Sequence, residues 1–261
     1  MQGRFRLAPS HSDRLMPRYD FRSPRLYVDA PLGDGEAVAL TPAQAHYLTT
    51  VLRLKAGEEV LIFNGRDGEW RAALEGHKRT IGLRARAKLR AQTEPADLHY
   101  LFAPLKAARL DYMVQKAVEM GVSRLVPVLT RHGQVTHVNV ARMRANAIEA
   151  AEQCGILCVP DIAEPVALTR LVAEHDGSRC LIFCDEVAET ANPASALQRA
   201  RNNASLAVLI GPEGGFAEEE RAALIKLPNV VRLALGPRIL RADTAAVAAL
   251  ALVQAVIGDW S

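Results

Sequence analysis

The chain has 261 residues, 49% of them apolar and 23% charged, with 32 Lys and Arg against 29 Asp and Glu for a net charge of +3. That length and apolar content can bury a sizeable core without disulfides or metal staples, and they exclude a chain that is mainly disordered. The longest apolar run, Thr244 to Ile257, is interrupted by Gln254 and falls short of the roughly 20 residues a bilayer span needs, so no membrane anchor is expected.

The charge is divided unevenly. Residues 1–90 carry 16 Lys and Arg against 10 Asp and Glu, a net +6, whereas residues 91–261 carry 16 against 19, a net −3. A basic front third suits contact with a polyanion, although a chance surface imbalance would give the same count. Residues 1–22 hold Arg4, Arg6, Arg14, Arg18 and Arg22 among Pro9, Ser10, Ser12 and Pro17, without the apolar segment of a secretory signal. Asp13 and Asp20 count against an organelle transit peptide. We read the segment as a flexible basic arm.

From Arg25 to Arg90 the pattern is strands with short turns and one helix. Thr41 is the expected N-cap and Pro42 the first helical residue, with His46, Leu48, Val51 and Leu52 on or near one face. Gly57, Asn64-Gly65 and Gly68 are turn signals flanking strands at 59–63 and 69–74, and a small β-barrel is the natural package. Ile81 to Arg90 alternates, with Ile81, Leu83, Ala85, Ala87 and Leu89 on one face and Arg84, Arg86, Lys88 and Arg90 on the other. With Lys78 and Arg79 just before it, this row of cations has no acid inside the segment and suits a phosphate backbone. An edge strand protected from aggregation by charge reads the same way.

Ala91 to Asp97 reads as a linker, dividing a barrel domain at 23–92 from a domain at 93–261. Beyond it, strand-like runs at 98–103, 124–129, 180–184, 206–210 and 230–235 alternate with helical stretches, among them 107–120, closed by Gly121, and 139–154, closed by Gly155. Such alternation predicts an α/β domain with a mostly parallel sheet. Cys154, Cys158, Cys180 and Cys184 form two C-x3-C pairs, but Cys180 and Cys184 bracket a buried strand and neither pair has a zinc knuckle. Small buried thiols are the better explanation, and no metal site is expected.

Two loops carry chemistry. Gly211-Pro212-Glu213-Gly214-Gly215-Phe216 follows a buried strand and precedes Glu218, Glu219 and Glu220 at a helix start. It lacks the phosphate-loop patterns, and its acids favour a cationic or neutral cofactor. The trio at 218–220 complements a helix macrodipole, which leaves Glu213 as the informative acid. The second loop, Leu235 to Thr244, turns at Gly236-Pro237 and presents Arg238 and Arg241, with Asp243 or Thr244 as helix cap before an Ala-rich helix.

These residues resemble the RsmE family of SPOUT-type RNA methyltransferases. The resemblance rests on Gly-Pro-Glu-Gly-Gly-Phe at 211–216 and on Leu-Gly-x-Arg-Ile-Leu-Arg-x-Asp-Thr-Ala at 235–245. It extends to Gln115 to Val122, to Glu-Gln-Cys-Gly at 152–155, and to His46 with Val51 to Leu54. It implies a PUA-like barrel followed by an α/β domain with a trefoil knot, in a cytoplasmic homodimer. The implied activity is S-adenosylmethionine-dependent methylation of uracil N3 in 16S rRNA of the small ribosomal subunit. It further implies a cofactor site formed by Leu209, Ile210, Gly211, Glu213, Gly214, Leu235, Gly236, Ile239, Leu240 and Ala242. RNA contacts are expected from Arg25, His46, Arg53, Arg84, Arg86 and Lys88. The sequence departs from the family pattern at Ile156 and Leu157, where Arg is usual after Gly155, at Asp243, usually Glu, and at Ala217, usually Ser or Thr.

Uracil N3 is a poor nucleophile until it loses its proton, whose departure puts negative charge on O2 and O4. A fixed guanidinium stabilises that charge, a role expected of Arg241 first and Arg238 second. The base stays open among Glu213, Asp243 and water. Two rival readings remain: the same chemistry on another RNA such as tRNA, and a non-catalytic RNA-binding or ribosome-assembly protein.

Overall fold

The computed structural model of the chain describes residues 22–76, 80–189 and 192–260; the basic arm up to Phe21, together with Lys78 and Arg79, lies outside them. Two β-sheets organise the described residues. The first contains β1 (Arg25–Tyr27), β2 (Ala37–Ala39), β3 (Glu59–Phe63), β4 (Glu69–Glu75) and β5 (Gly82–Arg90), in the order β1-β3-β4-β5-β2. β1 runs parallel to β3 and the remaining pairs are antiparallel. The turn between β3 and β4 forms around Asn64, whose Oδ1 accepts hydrogen bonds from the amides of Arg66 and Asp67 at 3.0 and 2.9 Å.

Leu26, Val38, Val60, Ile62, Trp70 and Leu83 close the inside of this sheet with Leu48. Leu48 follows α1 (Pro42–His46), which starts with a capping box: Thr41 Oγ1 accepts from the Gln44 amide at 3.2 Å, and Gln44 Oε1 from the Thr41 amide at 2.9 Å. Val51, expected on the apolar face, is instead 59% exposed. The helix widens to a π-turn over Tyr47–Val51, closed by the Leu52 amide on the Tyr47 carbonyl, and the longer repeat rotates Val51 outward.

The alternation of β5 also breaks. Leu83 and Ala85 are buried, but Ala87 and Leu89 are exposed. Against β4, Ala72 faces Ala85 while Arg71 faces Ala87, and Trp70 faces Lys88 while Glu69 faces Arg90; the strand therefore bulges at Arg86 and again at Leu89. Each extra residue reverses the faces beyond it. Lys88 consequently lies over the Trp70 ring, 5.9 Å from its centroid, rather than continuing an outward row.

The second sheet contains β6 (Leu98–Phe102), β7 (Arg124–Leu129), β8 (Asp161–Ile162), β9 (Val166–Ala167), β10 (Cys180–Cys184), β11 (Leu206–Ile210) and β12 (Val230–Leu233). Its order is β12-β10-β11-β6-β7-β8, with β9 on β7, and every pairing is parallel. Central β11 is buried at every position, as a parallel strand covered on both sides must be. The accompanying helices are α2 (Ala107–Glu119), α3 (Val140–Cys154), α4 (Leu168–Glu174), α5 (Pro193–Leu197), α6 (Glu218–Ile225) and α7 (Ala242–Ile257). Tyr100, Phe102, Met113, Met143, Val208 and Leu250 fill one side of the sheet, and Leu101, Val128, Phe183, Leu209 and Leu224 the other. Asn139 caps α3 and Gly155, at φ 64°, ends it. Of the four thiols, Cys180 is buried, but Cys154, the last residue of α3, is exposed, against expectation.

The sheets are joined by polar and aromatic contacts. Tyr27 and Phe63, edge-on to each other at 5.7 Å within the first sheet, pack against the core of the second, and the Tyr27 amide donates to Glu152 Oε1 of α3 at 2.8 Å, a carboxyl that burial pushes above its ordinary pKa. Arg25, expected on RNA, is 7% exposed and donates to Glu69 Oε1 at 2.9 Å. Arg90 grips the same carboxylate through Nε and Nη2, each at 2.8 Å, and donates to the Gly155 carbonyl at 2.9 Å. Burial pushes the Glu69 carboxyl up, but the two guanidiniums outweigh it and hold the pKa below the usual range. A strand cation expected to face solvent thus ties the barrel to the end of α3.

Candidate active site

The carboxyl ends of β10, β11 and β12 meet in a cleft of about 220 Å³, the position where parallel sheets place ligands. At the end of β10, Asp185 is 4% exposed; Arg221 Nε donates to its Oδ1 at 3.1 Å and Arg232 Nε to its Oδ2 at 2.9 Å. Burial raises its pKa, but the guanidiniums prevail and hold it below the ordinary value, so the charge is spent within the wall. The adjacent Cys184 thiol is pushed by burial up to about 12 and stands in the lining as a neutral group.

β11 delivers the first loop. A Cβ on Gly211 would come within 2.5 Å of the Phe216 ring, which is itself held edge-on to Phe183 at 5.2 Å, so only glycine fits. Glu213 forms an ion pair with Arg109 in the first turn of α2. Ala217, the departure from a hydroxyl cap, leaves its own amide to Glu220 Oε2 at 3.0 Å, while Glu220 Oε1 accepts from the Arg131 amide at 2.8 Å. Glu220 therefore stitches the loop after β7 to the start of α6.

β12 delivers the second loop, turning at Gly236 with φ 101°. Neither Asp243 nor Thr244 caps α7: the helix begins at Ala242, Arg241 occupies the cap position in extended geometry, and Asp243 Oδ1 accepts from the Thr244 amide at 2.8 Å. Ile239 projects 91% exposed into the cleft mouth.

Of the expected cofactor residues, Ile210, Gly211, Glu213, Leu235, Gly236, Ile239, Leu240 and Ala242 line this cleft. Leu209 does not: one residue earlier on β11, it points to the opposite side of the sheet and is fully buried there. Gly214 faces a neighbouring cavity instead, 3.5 Å from the His132 Cβ if given a Cβ of its own. Arg238 lines the cleft, Arg241 stands exposed beside it, and neither guanidinium makes a hydrogen bond or ion pair among the described residues. Asp185, Arg221 and Arg109 were not anticipated. An acid directly after an apolar strand was the available signal for Asp185, whereas the Arg109 to Glu213 pairing spans 104 residues and had none.

The barrel's expected RNA contacts are scattered rather than aligned. His46, Arg53, Arg86 and Lys88 are exposed, with Arg53 at φ 57°. Arg84 is exposed as well, but it is engaged by Glu75 Oε2 at 2.7 Å and the Gly35 carbonyl at 2.9 Å.

Among the described residues no helix is long and apolar enough to cross a membrane, and no cluster of three or more His, Cys, Asp or Glu could hold a metal ion. The RNA methyltransferase domain family matches residues 92–254, and the RNA methyltransferase PUA domain matches residues 40–81. The ribosomal RNA small subunit methyltransferase E of Rickettsia conorii is 29% identical over 232 residues, covering 88% of this chain and 94% of that protein. A putative methyltransferase from Legionella pneumophila, solved in complex with bound SAM, is 31% identical with TM-score 0.78, covering 90% of this chain and 98% of that one. The Neisseria gonorrhoeae ribosomal RNA small subunit methyltransferase E bound to S-adenosyl methionine is 26% identical with TM-score 0.80, covering 92% of this chain and all of that one, 100%. A PUA-like barrel, a parallel-sheet domain with its cleft at the strand ends, and this breadth of similarity agree: the chain belongs to the RNA methyltransferase family, in its RsmE branch.

Proposed function

We propose that the chain transfers the methyl group of S-adenosylmethionine to N3 of a specific uridine in 16S rRNA of the small ribosomal subunit. The cleft at the ends of β10, β11 and β12 carries this reading. Leu235, Ile239 and Leu240 offer apolar walls for an adenine, while Glu186 and Glu218 offer a negative rim for a sulfonium. The donor set fits the cofactor, which when bound supplies an electrophilic methyl group. Arg238, without a carboxylate partner among the described residues, is available for the methionyl carboxylate. Arg241, at the mouth, stabilises charge on uracil O2 and O4 as N3 loses its proton.

On the barrel, His46, Arg53, Arg86 and Lys88 hold rRNA phosphates; their exposure supports this, and Arg84 contributes less because Glu75 already engages it. The resemblance extends the proposal to a division into domains at 23–92 and 93–261, a trefoil knot near the carboxyl end, a homodimer and a cytoplasmic location. Modified-nucleotide mapping of rRNA from cells lacking the protein tests the substrate: one 3-methyluridine in 16S rRNA is expected to vanish and to return with the gene. An unchanged 16S rRNA with a lost tRNA modification would refute it. Calorimetric titration that detects no S-adenosylmethionine binding would replace catalysis with a purely RNA-binding role.

A further inference from the structure

Beside the cofactor cleft lies a second cavity of about 340 Å³, lined by Lys106, Arg109, His132 and Gln134 and sharing Pro212 and Glu213 with the cleft. Its volume falls within the range of small-ligand sites. His132 stands on the turn after β7. That turn is pinned: the Gly133 amide donates to the Thr130 carbonyl at 3.1 Å, and the Arg131 amide to Glu220 of α6 at 2.8 Å. His132 Nδ1 lies 3.3 Å from the Gly215 carbonyl, in the first loop. A carbonyl can only accept, so Nδ1 carries the proton and Nε2 of the neutral ring presents a lone pair. Nε2 has no hydrogen-bond partner among the described residues.

We infer that this second cavity receives the target uracil and that His132 Nε2 accepts its N3 proton, an assignment that rests on the uridine-methylating reading above. The carboxylates that could compete are engaged: Glu213 by Arg109, and Asp243 by the Thr244 amide. In the step, the N3–H bond breaks and the proton passes to Nε2. The electron pair left on N3 forms the bond to the methyl carbon as its C–S bond breaks, the bonding pair staying on sulfur to give a neutral thioether. The imidazolium then releases its proton to solvent. Lys106, in the same lining, adds a cation to Arg241 for the charge that develops on the uracil oxygens. The arrangement also selects the base. Cytosine N3 carries a lone pair instead of a proton and meets Nε2 lone pair to lone pair, whereas uracil N3 donates.

The test is single-turnover methylation by the full chain with saturating S-adenosylmethionine. The substrates are unmodified 16S rRNA transcribed with uridine and the same RNA transcribed with 5-fluorouridine, whose fluorine makes N3–H more acidic and lessens the need for a base. His132→Ala is expected to slow the uridine RNA by about 100-fold or more, as loss of a general base does, and the 5-fluorouridine RNA by about tenfold or less. RNA affinity measured by filter binding should stay within about twofold, since a base that acts at the proton contributes to rate rather than binding. His132→Gln, which keeps a donor for the Gly215 carbonyl but offers no base, should follow His132→Ala. An undiminished uridine rate, an equal deficit on both RNAs, recovery of the rate by Gln, or lost RNA affinity would each overturn the assignment. A wild-type protein that methylates neither RNA would refute the functional reading itself, and this assignment with it.

Discussion

Replacing Glu69 by Ala should destabilise the chain more than removal of a surface acid, and the structure sets the scale. The carboxylate accepts from Arg25 Nε at 2.9 Å and from Arg90 Nε and Nη2, both at 2.8 Å. The side chains of Arg25 and Glu69 are each 4% exposed, and that of Arg90 is 17%. Arg25 Nη2 is already buried without a hydrogen-bond partner, so removal of Glu69 strips the rest of the guanidinium of its counter-charge. Breaking a buried pair from one side costs about 3–5 kcal/mol. For a chain of this size each kcal/mol lowers Tm by about 2–4 °C, so a fall of roughly 10 °C is expected. Urea unfolding followed by fluorescence of Trp70, the next residue in the chain, reports on the barrel directly. The effect should also depend on pH. Because the folded-state pKa of Glu69 is lowered, its contribution is complete above the unfolded value near 4.5 and is lost as pH falls through the folded value. The gap between wild type and Glu69→Ala should therefore narrow on the acid side. A deficit under about 1 kcal/mol, the range of exposed pairs, or one that does not narrow in acid, would refute the argument.

Three other outcomes are expected. Arg241→Ala should lower single-turnover methylation by about 100-fold or more while leaving Tm unchanged, as loss of a preorganised charge contact does; an undiminished rate at saturating RNA would remove Arg241 from the chemistry. Replacing Arg86 and Lys88 together by Ala should flatten the plot of log RNA affinity against log salt by roughly 0.7–0.9 for each phosphate no longer neutralised, whereas an unchanged slope would return both to a solvated strand. Gly211→Ala would force its methyl group to within 2.5 Å of the Phe216 ring, which Phe183 holds in place. S-adenosylmethionine affinity by calorimetry should then fall by about tenfold or more, in keeping with overpacking costs of about 1–3 kcal/mol, and unaltered affinity would show that the loop yields.

What could be read from sequence was whatever is decided locally. The runs at 124–129, 180–184 and 206–210 are strands because continuous β-branched and aliphatic side chains suit a sheet covered on both sides, and Asn139 and Gly155 bound their helix through cap and left-handed backbone. The two glycine loops were visible as loops, and most of their residues converge on the cleft. Errors arose where the outcome depends on a partner distant in sequence. Nothing local signals that β5 bulges at Arg86 and Leu89, because a bulge is a mismatch with β4 and not a property of β5. Val51 followed the helical period until the π-turn changed it. His132 carries no motif; its interest comes from a carbonyl 83 residues away.

The charge division shows the same limit from another side. Counting assigned the front of the chain a surplus of cations, and a row on one strand seemed to be their site. The fold withdraws Arg25 and Arg90 into the contact between the two sheets, engages Arg84 with Glu75 and places Arg71 within 3.5 Å of Glu59. Glu69 and Glu75 both belong to β4, the neighbouring strand, so Arg84 and Arg90, half of the row, are neutralised across the sheet even though no acid interrupts it along the chain. Arg53, Arg86 and Lys88 remain exposed without a carboxylate partner among the described residues. A short, scattered set of cations can orient a structured RNA but supplies few phosphate contacts. Much of the affinity must therefore come from surface near the cleft, where Lys106, Arg238 and Arg241 are exposed around the two cavities. On this view the barrel cations chiefly set register, and replacing the cations around the cavities should weaken RNA binding at least as much as substitutions on β5.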